Sequence, residues 1–341
     1  MKEGNARLIR LLAKEVPMLE LTITAEESQE IRNLVAGIST AHKIIDSPEF
    51  LDKATPLSHQ LPKRLCEIVN EFRLRDDGYG VMVIRGFPID DEKIGPTPST
   101  WRDRSNPSRT HEEELFLALC GTLLGDLVSW SSEQNGYLVH DVLPIKEFEK
   151  SQLGWSSDVD MIVHVEEAFS PYCPDYLLLM CMRNPESIGT TINTVADLDL
   201  DKLDLDALFG ENFIVRPDHA HLEGEITREE EAKNPPKTAI FFGDRRAPYI
   251  RLDPPYMEAN GNGRARDALE SLLREVRAKR THLRLHPGEI AVIDNFRAVH
   301  GREPFKARYD GTDRWLKRVK VTRDLRKSRA SRSSATSRTI L

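Results

Sequence analysis

Pro287-Gly288-Glu289-Ile290-Ala291-Val292-Ile293-Asp294-Asn295 reads as a turn, a strand and a second turn. Pro-Gly breaks the chain, an unbroken apolar run follows, and Asp-Asn supplies the turn chemistry that ends it. The run is too short for a helix, which needs about 10–12 residues, so it is read as a buried strand. Similar runs occur at Met161-Ile162-Val163, Tyr176 to Met180 and Ala239 to Phe242, separated by Gly, Pro and Asp clusters. Short strands in this pattern predict an antiparallel β sandwich or barrel over residues 137–325.

The first 130 residues read differently. Thr24 with Glu27 has the spacing of a capping box and opens the amphipathic run Ile31, Leu34, Val35 over residues 24–36. A second helix is predicted at 61–73, and the glycine-bracketed run 80–87 is a buried strand. Thr110 and Glu113 repeat the capping-box spacing ahead of a buried helix from Leu115 to Leu124. The chain is therefore α+β with a mainly β core. A length of 341 residues with 39% hydrophobic content suffices for one large core.

A net charge of −7, spread along the sequence, offers no basic stripe for nucleic acid, so a small-molecule partner is expected. From Met1 to Glu15 charges interrupt any apolar run, which predicts no signal peptide, no membrane span and a cytoplasmic protein. Cys66, Cys120, Cys173 and Cys181 form no CxxC and are expected to be buried thiols. Residues 219–237 are charged and end in Pro235-Pro236, as a mobile lid loop would. Residues 326–341, rich in Arg and Ser, are expected to be a disordered basic tail.

His164-Val165-Glu166 directly follows an apolar run, so on a strand His164 and Glu166 point to one face. His300, just beyond the 290–294 strand, makes a second imidazole available. Two imidazoles and one carboxylate on one face of an ion leave three adjacent positions open, the arrangement of non-haem Fe(II) oxygenases. Zinc more often takes a third His or Cys. Arg314 lies 14 residues after His300, and alternation along Asp313 to Val321 puts Arg314, Leu316 and Arg318 on one face. An arginine there can grip the distal carboxylate of 2-oxoglutarate in a bidentate fork. His219, His221, His282 and His286 fall in the loop or beside a turn and are read as ordinary histidines. Trp315 and Tyr309 are read as packing groups beside the cosubstrate pocket.

The segments HVEEAFSPYCPDYLLLMCMRNPE (164–186) and VIDNFRAVHGREPFKARYDGTDRWLKRVKVTRDL (292–325) resemble the clavaminate synthase-like oxygenases. The likeness is nearest to the arginine and enduracididine β-hydroxylases of peptide-antibiotic biosynthesis. It runs from about 55 to 326 through LPKRL, VIRG, LLGDL, DVLPIK and RPD. It implies a single oxygenase domain over 1–325 whose core is a double-stranded β-helix, the cupin-like jelly roll, with helices around it. It further implies Fe(II) on His164, Glu166 and His300, with 2-oxoglutarate and O2 as cosubstrates. Arg314 would hold 2-oxoglutarate together with Thr190 or Thr191, of which Thr191 is preferred.

Because Glu166 is kept, the resemblance favours hydroxylation over halogenation. Arg318 matches an arginine that meets the α-carboxylate of the substrate, and Asp218 matches a substrate-loop aspartate. Asp253 matches the first of two guanidinium-binding aspartates, but Pro255 replaces the second, and Glu133 stands where the arginine enzyme has a glutamine. A buried cationic side chain needs acidic partners. A ring-closed guanidine such as enduracididine needs fewer than arginine does, and arginine and lysine are the alternatives. From other classes, a catalytically silent metal-binding β-helix protein and a zinc hydrolase compete with this reading.

Overall fold

In a computed structural model that describes residues 18–75, 79–105, 108–218, 221, 235–261 and 263–341, the Ile290–Asp294 run is a strand at the centre of a sheet. The strands in chain order begin with β1 (Met18–Thr22), β2 (Val81–Arg85), β3 (Asp126–Trp130), β4 (His140–Val142), β5 (Met161–His164), β6 (Tyr176–Arg183) and β7 (Thr190–Thr194). Next come β8 (Phe213–Val215), β9 (Lys237–Thr238), β10 (Phe241–Asp244), β11 (Ala247–Ile250) and β12 (Met257–Ala259). The last five are β13 (Thr281–Leu283), β14 (Ile290–Asp294), β15 (Ala298–Arg302), β16 (Trp315–Thr322) and β17 (Thr339–Ile340). The large sheet has the order β1-β2-β14-β6-β16-β3-β17, with β4 beside β16, and a second sheet has the order β13-β7-β15-β5.

Side-chain alternation divides the core. Val83, Leu177, Leu179, Ala291 and Ile293 of the large sheet meet Ile192, Leu283 and Ala298 of the second. Their neighbours Met82, Leu178, Met180, Val292 and Val319 face the other way and pack under the helices. Each large apolar side chain so buried contributes roughly 1.5–3 kcal/mol. Those helices are α1 (Ala25–Ala41), α2 (Pro48–Ser58), α3 (Lys63–Leu74) and, past the short α4 (Asp91–Ile94), α5 (His111–Thr122). The fold is thus mixed α/β with a sheet-rich core. The pairs β1/β2 and β3/β17 are parallel, a departure from the antiparallel expectation.

Thr24 and Glu27 close the expected capping box at α1. Thr110 does not, contrary to its sequence pattern: its hydroxyl donates to Glu114 at 2.8 Å and caps nothing. Glu114 is fully buried and gathers donors, with Lys317 and Arg104 each at 2.8 Å. The charge of that carboxylate outweighs the capping of one backbone amide.

The disordered tail is the second correction. Residues Leu325–Ser331 form 3-10 turns, and β17 pairs with β3. Arg332, buried, donates to the carbonyls of Leu325, Ser334, Ala335 and Ser337, while Ile340 packs with Val128 and Trp130. One arginine satisfying four carbonyls orders a segment too poor in apolar residues to show a hydrophobic period. Of the expected lid loop, residues 219, 220 and 222–234 lie outside the described residues. All four cysteines are free thiols, and no described helix is long and apolar enough to cross a membrane.

Candidate active site

His300 on β15 is paired directly with His164 on the neighbouring antiparallel β5, so both rings project from one face, with centroids 4.6 Å apart. Glu166 follows just past β5. Asn295, fully buried, accepts from the Glu166 amide at 2.9 Å and donates to its carbonyl at 3.0 Å, which fixes the turn that aims the carboxylate. Glu166 Oε2 lies 3.4 Å from His300 Nε2 and 3.8 Å from His164 Nε2. One ligand atom from each residue falls within 4.8 Å of the others.

The donor set fits a divalent ion. His164 Nδ1 lies 3.0 Å from the Ile162 carbonyl, so a proton held there leaves the Nε2 lone pair facing Glu166. Burial and the neighbouring His164 push His300 down to about 4, which keeps it neutral as a ligand must be. Burial opposes charge on His164, but Glu166 and Asp253 together lift it to about 9. Two nitrogens and one carboxylate oxygen are the set used by Fe(II) with open positions.

The three residues line an open cavity of about 940 Å³ between the sheets. Arg314, 6% exposed, also lines it, and donates to Thr190 Oγ1 at 3.0 Å. No carboxylate lies within ion-pair distance of Arg314 among the described residues, and burial lowers it to about 10. The preference for Thr191 over Thr190 is not met. On β7, Thr190 stands opposite Arg302 and faces the cavity, whereas Thr191 pairs with Gly301 and its buried hydroxyl points away. Arg302, unforeseen in the sequence, is buried on the cavity wall, where it donates to Ser156 Oγ at 2.9 Å. Trp315 and Tyr309 do not pack beside this pocket. Trp315 faces the helices, with its indole N–H on Asp141, and Tyr309 is 37% exposed.

Arg318 reaches Glu166 Oε1 at 2.7 Å and also grips Glu133. Lys320, two residues on and 1% exposed, pairs with Glu133 and Glu167. Burial disfavours these carboxylates, yet Arg318 and Lys320 hold Glu133 and Glu166 well below the usual range. Sequence reading missed Lys320 and Glu167. The signal was there: the alternation that paired Arg314 with Arg318 extends to residue 320.

Asp253 and Asp218 line the same cavity. Asp253 is 9% exposed, and no hydrogen bond reaches its carboxylate among the described residues. Burial, opposed by His164, pushes it up to about 7. Burial also raises Asp218, against the nearby His221. His221, expected to be a surface histidine, is 2% exposed and 2.8 Å from Glu167.

A model of the taurine catabolism dioxygenase TauD, TfdA family matches residues 217–320. An L-ornithine/L-arginine 3-hydroxylase of Catenulispora acidiphila is 40% identical over 343 residues, covering 95% of this chain and 100% of that protein. The enduracididine beta-hydroxylase of Streptomyces hygroscopicus is 36% identical, with 95% and 100% covered. Among solved structures, the non-heme iron oxygenase OrfP in complex with Fe, succinate and (3S)-hydroxy-L-Arg superposes with a TM-score of 0.89 at 38% identity, with 94% and 99% of the two chains covered. The chain belongs to the TauD/TfdA dioxygenase family, in its clavaminate synthase-like branch of Fe(II)/2-oxoglutarate oxygenases.

Proposed function

We propose that this protein hydroxylates C3, the β carbon, of a free L-amino acid with a guanidine side chain, arginine or enduracididine, in the making of a peptide antibiotic. One observation carries the reading: a single cavity joins a three-ligand metal set, the buried Arg314 guanidinium with no carboxylate at ion-pair distance among the described residues, and the buried Asp253 carboxyl with no Lys or Arg paired to it among them. His164, Glu166 and His300 would hold Fe(II), and Arg314 with Thr190 would hold the distal carboxylate of 2-oxoglutarate. Bound iron, with 2-oxoglutarate and O2, supplies the oxidant that replaces a C–H hydrogen with hydroxyl, leaving succinate and CO2.

The chain's own residues choose and orient the substrate. Arg318 is charged and fixed by Glu133 and Glu166, so an α-carboxylate arrives at a guanidinium already aimed into the cavity. Glu133 gives the α-ammonium an acceptor. Asp253 and Asp218 receive the side-chain cation, which offsets the cost of ionising Asp253 in a buried place. The relative named for ornithine as well as arginine supports a second reading, in which another basic amino acid such as lysine is the substrate.

The facing of the two sheets across one apolar layer supports a double-stranded β-helix, the jelly roll, as the core. We read the chain as one oxygenase domain, acting in the cytoplasm on a small molecule.

The test is mass spectrometry of anaerobically iron-loaded protein given 2-oxoglutarate, O2 and a panel of L-arginine, L-enduracididine, L-ornithine, L-homoarginine and L-lysine. A product one oxygen heavier from a guanidine-bearing member is expected. Product from lysine or ornithine alone would replace the guanidine reading. Succinate without any heavier amino acid would overturn the substrate class.

A further inference from the structure

His221 is buried at a point where three strings of active-site residues meet. Its Nε2 lies 2.8 Å from Glu167 Oε2, and Glu167 is the chain neighbour of the metal ligand Glu166. Its Nδ1 lies 2.8 Å from the hydroxyl of Ser132, the neighbour of Glu133. Its own backbone amide donates to the Asp218 carbonyl at 3.2 Å and to Asp218 Oδ1 at 3.3 Å, and its ring lies 3.9 Å from the same oxygen. Phe169 packs on the ring, with centroids 4.8 Å apart.

Glu167 is not a passive anchor. Its backbone has φ +56, a left-handed conformation uncommon for a residue with a side chain, and that turn sends the carboxylate inward. Its second oxygen is held by Lys320, which also holds Glu133, which holds Arg318, which reaches Glu166. A buried chain of alternating charges therefore runs from the imidazole of residue 221 to the metal ligand. Every carboxylate in it has a partner of opposite sign, as burial requires.

We propose that His221 is a positioning residue for the cationic end of the substrate: by linking Asp218 to Glu167 and Ser132, it sets where Asp218 stands relative to the metal ligands. The proposal rests on the reading of Asp218 as a substrate-binding acid. The hydroxylated carbon is chosen by the distance between the side-chain cation, held at Asp218 and Asp253, and the α-carboxylate, held at Arg318. Because His221 touches the neighbours of both Glu133 and Glu166, it ties the two ends of that span to one point. A substrate of different length would then meet a fixed mismatch, whereas a loosely held Asp218 would follow it.

The test compares His221→Phe, which keeps the packing on Phe169 and loses the Ser132 hydrogen bond and the Glu167 ion pair, with His221→Gln, which keeps one donor. The phenylalanine variant is expected to raise KM for the best amino acid about tenfold, the scale of one lost charged hydrogen bond, with kcat changed far less. The glutamine variant should recover most of the loss, and discrimination between arginine and homoarginine should narrow in the phenylalanine variant alone. A double-mutant cycle with Asp218→Asn decides the route: His221→Phe added to Asp218→Asn should cost little more, because the two act as one unit. Fully additive losses, or a wild-type KM in a folded His221→Phe protein, would overturn the proposal. If His221→Phe does not fold, the same cycle run with His221→Gln decides it on the same terms. Wild-type protein inert toward every basic amino acid would instead overturn the functional reading on which this one stands.

Discussion

Asp253 carries a carboxyl raised from 3.8 to about 7 by burial, and its ionisation is the step a cationic substrate must drive. kcat/KM for a basic amino acid is therefore expected to rise as pH climbs toward 7 and level off above it, with the charge of a bound ion drawing the midpoint lower. Asp253→Asn should abolish that limb. The sign for stability is opposite: a folded carboxyl with a raised pKa binds a proton that the unfolded chain has released, so its ionisation costs stability as pH rises from about 4 to 7. Thermal melts of ligand-free protein should show Asp253→Asn gaining on wild type over that interval, and parallel melts would contradict the assignment. The convergence of His164, Glu166, His300 and Arg314 on one cavity was legible in the sequence because their spacing repeats a chemical requirement. The choice between Thr190 and Thr191 was not: choosing between adjacent residues of a strand depends on its register with β15, which no residue in Gly189-Thr190-Thr191 encodes.

Strand β16 separates two chemistries by parity alone. Leu316, Arg318 and Lys320 face the cavity side, while Lys317 turns toward the helices and is buried between Glu114 at 2.8 Å and Asp141 at 2.6 Å. Lys317→Met would leave both carboxylates buried without their shared cation, an expected loss of about 3–5 kcal/mol. Urea unfolding measures it, and iron and 2-oxoglutarate affinity of the folded variant should be unchanged. A loss under about 1 kcal/mol would mean that this pair is no stronger than an exposed one. At this scale the apolar runs at 161–163, 176–180 and 290–293 fall in β5, β6 and β14, whereas of Ala239 to Phe242 only the last two residues enter a strand, β10. The capping boxes gave one success and one failure, because the pattern at Thr110 cannot reveal that Glu114 is the buried acid that claims its hydroxyl.

Across the whole molecule, the tail links distant parts of the chain. Strand β17 lines the edge of β3 that β16 leaves open, with the Ser129 amide donating to the Arg338 carbonyl at 3.1 Å and the Ser131 amide to the Ile340 carbonyl at 2.8 Å. The turn that follows carries Glu133 and then three successive left-handed residues, Gln134, Asn135 and Gly136. Removing residues 333–341 is expected to lower Tm by several degrees and raise KM for the amino acid more than KM for 2-oxoglutarate. Equal KM values in the shortened and full chains would show that the turn holds itself. Nothing in the Arg- and Ser-rich composition of the tail announces this role, since its order comes from carbonyls gathered around Arg332 and from a groove made by β3.

Thr339 meets Ser129 across 210 residues of chain. A ribosome therefore finishes His164, Glu166, His300, Arg314 and Arg318 before it delivers the strand beside the Glu133 turn. Folding by way of so distant a pairing is slow and waits for synthesis of that strand. Glu133 is thus seated only after the residues that line the rest of the cavity have been made, and a shorter nascent chain would still lack the support that aligns this turn.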